Sequence, residues 1–148
     1  MSVSVSVFLK AARLPTPVDW QAAIRAAGFE VELDTDFEPR TFSGFLPATY
    51  RGRAAGFEYS LDPITTGAAD LGSERRIAAA AGHDRCITLV THSNMAEAIS
   101  AAVAAGALAA LADGVLFDDE SDEAHPASAA TAWARSAEAE ALPYLDAP

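Results

Sequence analysis

Five carboxylates fall within six consecutive positions, Asp118, Asp119, Glu120, Asp122 and Glu123. At that density they repel one another unless water, a cation or a basic partner answers the charge. Calcium takes oxygen ligands, but the run lacks the alternating acidic positions, central glycine and distal glutamate of an EF-hand loop. A basic protein surface is the better match. The plain alternative is a solvated loop joining a strand to a helix. A second acidic group, Asp34, Asp36 and Glu38, follows another apolar stretch. If the two preceding strands run parallel, both groups occupy one rim of a sheet.

Nothing else assembles into catalytic chemistry. His83, His92 and His125 have no close metal-ligand spacing. His92 stands between an apolar run and Asn94, where a small hydrolase would pair it with a carboxylate of the acidic rim, although without a motif a strand-end or capping role accounts for it better. His83 precedes Asp84 and His125 precedes Pro126, which are turn contexts. Cys86 has Arg85 beside it, yet alternation turns the thiol toward the core as a small buried hydrophobe. The glycines form neither a phosphate loop nor a dinucleotide fingerprint, and no serine sits in a nucleophile elbow. The expected site therefore has no catalytic residue, no metal and no cofactor.

The elements that must position the carboxylates are written in the periodicity. Val3, Val5, Val7 and Leu9 alternate with Ser2, Ser4, Ser6 and Phe8, the two-residue period of a strand. Thr16 caps a helix beginning at Pro17, with Asp19 in its first turn, Trp20, Ile24 and Ala27 on one side, and Gly28 as the stop. Phe29, Val31 and Leu33 alternate with Glu30 and Glu32, completing a β-α-β start. Residues 48–63 read as a hairpin turning at Arg51-Gly52, with Gly56 a candidate bulge. A short helix is possible over Glu74 to Ala81, followed by a buried strand from Arg85 to Thr91.

Asn94 and Glu97 have capping-box spacing at the start of an alanine-rich helix that stops at Asp113-Gly114. Met95, Ile99, Val103, Leu108 and Leu111 spread around that helix, so it needs neighbours on several sides, which its alanines and Gly106 allow to come close. Val115 to Phe117 form a brief strand before the acidic loop, and a last helix starting at Pro126 or Ser128 carries Trp133. These elements predict one α+β domain over residues 1–148, a sheet packed by the alanine-rich helix and flanked by the first and last helices, with an irregular tail at 143–148.

Bulk properties narrow the partners. With 148 residues, one core burying about two thirds of the unfolded surface is expected. Acidic residues outnumber basic ones 21 to 10, for a net charge of -11, which disfavours nucleic acid and anionic membranes. The same charge also serves solubility. The basic residues are dispersed, with Arg51/Arg53 and Arg75/Arg76 the close pairs. A single cysteine and an N-terminus without a secretion signal's basic start and apolar centre point to the cytoplasm.

The segment ALAALADGVLFDDESDE resembles small bacterial immunity-like proteins of polymorphic toxin systems, in which an alanine-rich helix ends in glycine and leads to an apolar strand and acidic turn. GFLPATYRGRAAGFEY is similar in style to their central strand region. The resemblance implies a non-catalytic protein that neutralises a cognate toxin by covering its basic surface. The partner-binding residues expected are Asp118, Asp119, Glu120, Asp122, Glu123, Asp34, Asp36 and Glu38. The rival readings are the His92 hydrolase and a structural homo-oligomer held by an apolar helix face.

Overall fold

The computed structural model describes residues 3–64, 72–92 and 94–146. Valine-serine alternation produces β1 (Val3–Leu9), which turns Val5, Val7 and Leu9 into the main core and Phe8 to the other face. Ser2, expected on the face of Phe8, lies outside the described residues. In α1 (Pro17–Ala26) the Thr16 hydroxyl accepts the Asp19 N–H at 3.1 Å, and Gly28 (φ +86°) reverses the chain into β2 (Val31–Leu33).

β3 (Gly44–Tyr50) and β4 (Arg53–Pro63) are joined by Arg51 and Gly52 at φ 51° and 79°, the left-handed pair that a two-residue hairpin needs. Gly56 is no bulge, because Pro47 and Gly56 face each other in an unbroken register. It is glycine for space: at φ +124°, a Cβ there would lie 2.5 Å from the Leu46 carbonyl oxygen.

The chain continues through α2 (Glu74–Ala80), β5 (Arg85–Thr91), α3 (Met95–Leu111), β6 (Val115–Asp118), β7 (Glu123–Pro126) and α4 (Ala127–Ala141). The seven strands form one sheet in the order β2-β3-β4-β5-β1-β6-β7, every neighbouring pair antiparallel. The fold is thus α+β, with α1, α3 and α4 over one face of the sheet and α2 on the other. The β-α-β start spans the molecule, since β1 and β2 lie four places apart in that order.

Helix α3 is the centre of the core. Ala101, Val103, Ala104, Ala105, Leu108 and Ala109 are all buried. A Cβ at Gly106 would sit 2.6 Å from the Ala134 methyl and 2.9 Å from the Ala130 carbonyl, so glycine sets how closely α3 and α4 approach. The indole of Trp20 reaches across from α1 and donates to the Ala104 carbonyl at 2.9 Å. Tyr50 lies under α4 and donates to Glu138 Oε2 at 2.8 Å. Burial first, then the neighbouring Glu138, pushes its phenol up to about 12.

Helix α3 begins as its sequence dictates, with the Asn94 side chain accepting the Glu97 N–H at 2.9 Å. Its ending falls at the expected Asp113-Gly114 stop, with the aspartate and not the glycine in the left-handed conformation. Asp113 takes the left-handed position at φ 52°, and the Gly114 N–H then closes onto the Ala109 carbonyl at 2.9 Å. Gly114 is required by packing, because a Cβ there would meet the Phe8 carbonyl oxygen at 2.5 Å.

At the outer margin of the sheet, Gln21 substitutes for a missing strand. Its amide donates to the Val31 carbonyl at 3.0 Å and accepts the Leu33 N–H at 2.6 Å. The expected irregular tail contains a 3-10 turn over Leu142–Tyr144, and Asp146 pairs with Arg53; residues 147–148 lie outside the described residues. No described helix is long and apolar enough to cross a membrane.

Candidate functional site

The acidic run is not a loop between a strand and a helix but the tip of a hairpin. β6 pairs with β7, and Asp118 stands opposite Glu123. Aspartate makes this turn: Asp118 Oδ1 accepts the Glu120 N–H at 3.0 Å, the Asp122 N–H donates to the Asp118 carbonyl at 2.9 Å, and Asp122 adopts φ 58°. Glu123-Ala124-His125-Pro126 has no apolar alternation to announce a strand, so pairing and turn chemistry create it.

The hairpin divides its carboxylates. Asp119 turns under the sheet, where Oδ2 accepts the hydroxyls of Ser4 at 2.8 Å and Ser6 at 2.9 Å. Its other oxygen meets Arg76 Nε at 3.4 Å. The Arg76 guanidinium lies 5.1 Å from the Phe8 ring centre and 5.8 Å from that of Phe117, and donates to Ser6 Oγ at 3.1 Å. Asp122 Oδ1 accepts the Ser73 hydroxyl at 2.5 Å. Asp119 and Asp122 therefore fasten the hairpin to β1 and α2. Cys86 borders this cluster, and burial pushes its thiol up against the weaker pull of Thr88 and Arg76, the behaviour of a packing residue.

Asp118, Glu120 and Glu123 remain toward solvent on a hairpin held from beneath. Glu120 Oε1 accepts the Ser4 N–H at 3.2 Å, which fixes its direction. Beside them opens a groove of about 320 Å³ between the start of β1, the first turns of α3 and the last turns of α4. Its apolar lining includes Val3, Met95, Ala98, Ala102, Trp133 and Ala137. Asp118, Glu120 and Glu140 stand along it, with Tyr144 closing one side. Among the described residues, none of the ion pairs engages Asp118, Glu120, Glu123 or Glu140.

Sequence reasoning singled out the acidic run but missed both its hairpin and the groove. Its alanines carry the same signal as helix-packing alanines, and only Glu140 offered a clue. It sits in the last turn of α4, where the helix dipole is negative and no basic residue compensates it.

The second acidic group does not join the first. β2 and β6 run in opposite directions and stand five places apart in the sheet order, roughly 24 Å along a flat sheet at ~4.8 Å per strand. Asp34, Asp36 and Glu38 are exposed. Asp34 Oδ1 accepts the Asp36 N–H at 2.9 Å, and Glu38 Oε1 accepts the Arg40 N–H at 3.2 Å. Phe37 and Phe42 point inward, with ring centres 5.7 and 5.9 Å from that of Tyr59, whose hydroxyl donates to the Pro39 carbonyl at 2.7 Å. Burial, then the charge of Glu38, holds the Tyr59 phenol above the usual tyrosine range.

The histidines are scattered. His92 is exposed just beyond β5, and no histidine lines the groove beside the hairpin. His125 packs against Trp133 at 5.9 Å between ring centres. The Nδ1 of His83 is buried without a hydrogen-bond partner among the described residues. No group of three or more His, Cys, Asp or Glu is placed to hold a metal ion among the described residues. The chain matches no protein-family model, no curated protein and no solved structure.

Proposed function

We propose that this chain is a non-catalytic binding protein of the cytoplasm, an immunity protein that neutralises a cognate bacterial toxin by covering the toxin's basic active-site surface. The observation that supports the reading is the side-by-side placement of outward carboxylates, Asp118, Glu120 and Glu140, and an apolar groove, with Glu123 opposite Asp118 on the neighbouring strand. Charge of one sign steers a basic partner into encounter, and adjacent apolar surface retains it once docked. The carboxylates are presented by a hairpin that Asp119 and Asp122 hold against the sheet, so little ordering is left for the moment of binding.

The test is recovery of the tagged chain from its own cells at low and at high salt, with mass spectrometry of what stays bound. A near-stoichiometric basic toxin domain whose retention falls with salt is the expected result. Reversing Asp118, Glu120 and Glu123 to lysine should then abolish the salt-dependent part of the affinity. An affinity and salt slope untouched by that triple reversal would overturn the assignment of this surface.

A further inference from the structure

Resting on that reading, we propose that the partner inserts one apolar side chain into the groove between α3 and α4, with arginine or lysine residues flanking this anchor to meet Asp118, Glu120 and Glu140. Three features point to that occupant. The first is shape: about 320 Å³ is at the small end of ligand pockets, room for a single anchoring side chain and not for a packed helix.

The second is composition. Val3, Met95, Ala98 and Ala137 offer an apolar bed, Trp133 and Tyr144 supply aromatic surface, and the charged groups bordering the groove are all carboxylates. An apolar anchor ringed by cations complements that pattern, whereas an acidic or purely apolar segment leaves the carboxylates uncompensated.

The third is an electrostatic cost the fold leaves unrelieved. Glu140 lies at the negative end of α4, in a last turn without a basic residue. A cation beside Glu140 answers both its charge and the helix dipole. The opposite wall is the first turn of α3, the positive end of a dipole, so the basic groups belong on the hairpin and α4 side and the anchor lies across α3.

The experiment titrates the ¹⁵N-labelled full chain with three capped peptides: one tryptophan between two pairs of arginines, the same with alanine for tryptophan, and the same with glutamine for every arginine. The expected result is binding of the first, with amide shifts centred on Ala98, Ala102 and Ala137 and a shift of the ¹⁵N-labelled Trp133 indole N–H resonance. Loss of the tryptophan should weaken it about tenfold or more, the scale of an interface anchor. Filling the groove by Ala137→Phe should do the same, and Ala98→Leu repeats the test from α3 should the first variant fold poorly. Equal binding of both arginine peptides, unaffected by either filled groove, overturns the anchor and leaves a cation-binding surface standing. If neither arginine peptide binds at millimolar concentration, the cationic-partner reading fails with it.

Discussion

Residues 34–38 and 118–123 have nearly the same acidic character and opposite construction. In the first, the aromatic side chains are the inward members: Phe37, with nearby Phe42, closes the core over Tyr59 while the carboxylates stay outside. In the second, carboxylates are the inward members, Asp119 gripping Ser4, Ser6 and Arg76, and Asp122 gripping Ser73. An acidic run is therefore not one kind of object. Where its neighbours supply apolar anchors, the charges are free to be solvent cover; where they do not, some charges become the anchors and the remainder are presented in fixed directions.

The largest expected effect that separates the two is Phe37→Ala, which should cost about 3 kcal/mol in urea unfolding by opening the aromatic cluster. A loss below about 1 kcal/mol would show that the segment is not anchored through this ring. Asp119→Ala should cost about 2 kcal/mol, since it strips a charged acceptor from two hydroxyls and a stacked guanidinium. Asp119→Asn, which keeps an acceptor, should recover part of that stability. An Asp119→Ala protein as stable as the parent would place the anchoring elsewhere.

Smaller effects should appear in function. Converting Asp118, Glu120 and Glu123 to amides should slow association with a basic partner about tenfold at low salt, while stability changes little. The same treatment of Asp34, Asp36 and Glu38 should leave association unchanged and stability within about 0.5 kcal/mol. A slowed association in the second set would erase the contrast.

A further effect is confined to high pH. Tyr50 and Tyr59 are both held protonated above the ordinary tyrosine value of ~10, so the unfolded chain loses these protons first. Stability is full below pH ~10 and declines as pH climbs toward the raised folded values. Glu38→Gln should let Tyr59 ionise at a slightly lower pH, read by phenolate absorbance, because that charge opposes loss of the proton.

Much of the fold was legible because its signals are local. The Val-Ser alternation of β1, the Thr16 cap with Pro17, and the Asn94 cap are short-range patterns, and each produced the element it announces. The site was less legible because its determinants are distant in sequence. Nothing local reveals that Asp119 will face Ser4 and Arg76, or that Ala98 and Ala137 will share one groove. Gly56 and Gly114 show the same limit, since a glycine chosen for a neighbour's approach cannot be told by spacing from a bulge or a helix stop.

The amide of Gln21 carries a consequence for behaviour in concentrated solution. β2 is a terminal strand, and an unpaired strand edge templates addition of foreign strands, the route to aggregates and swapped polymers. Gln21 already holds the outward Val31 carbonyl and Leu33 N–H, so an incoming chain finds neither group vacant. One buried side chain thus acts as a stopper on sheet growth along that edge, sparing the fold an extra strand or a guard of lysines.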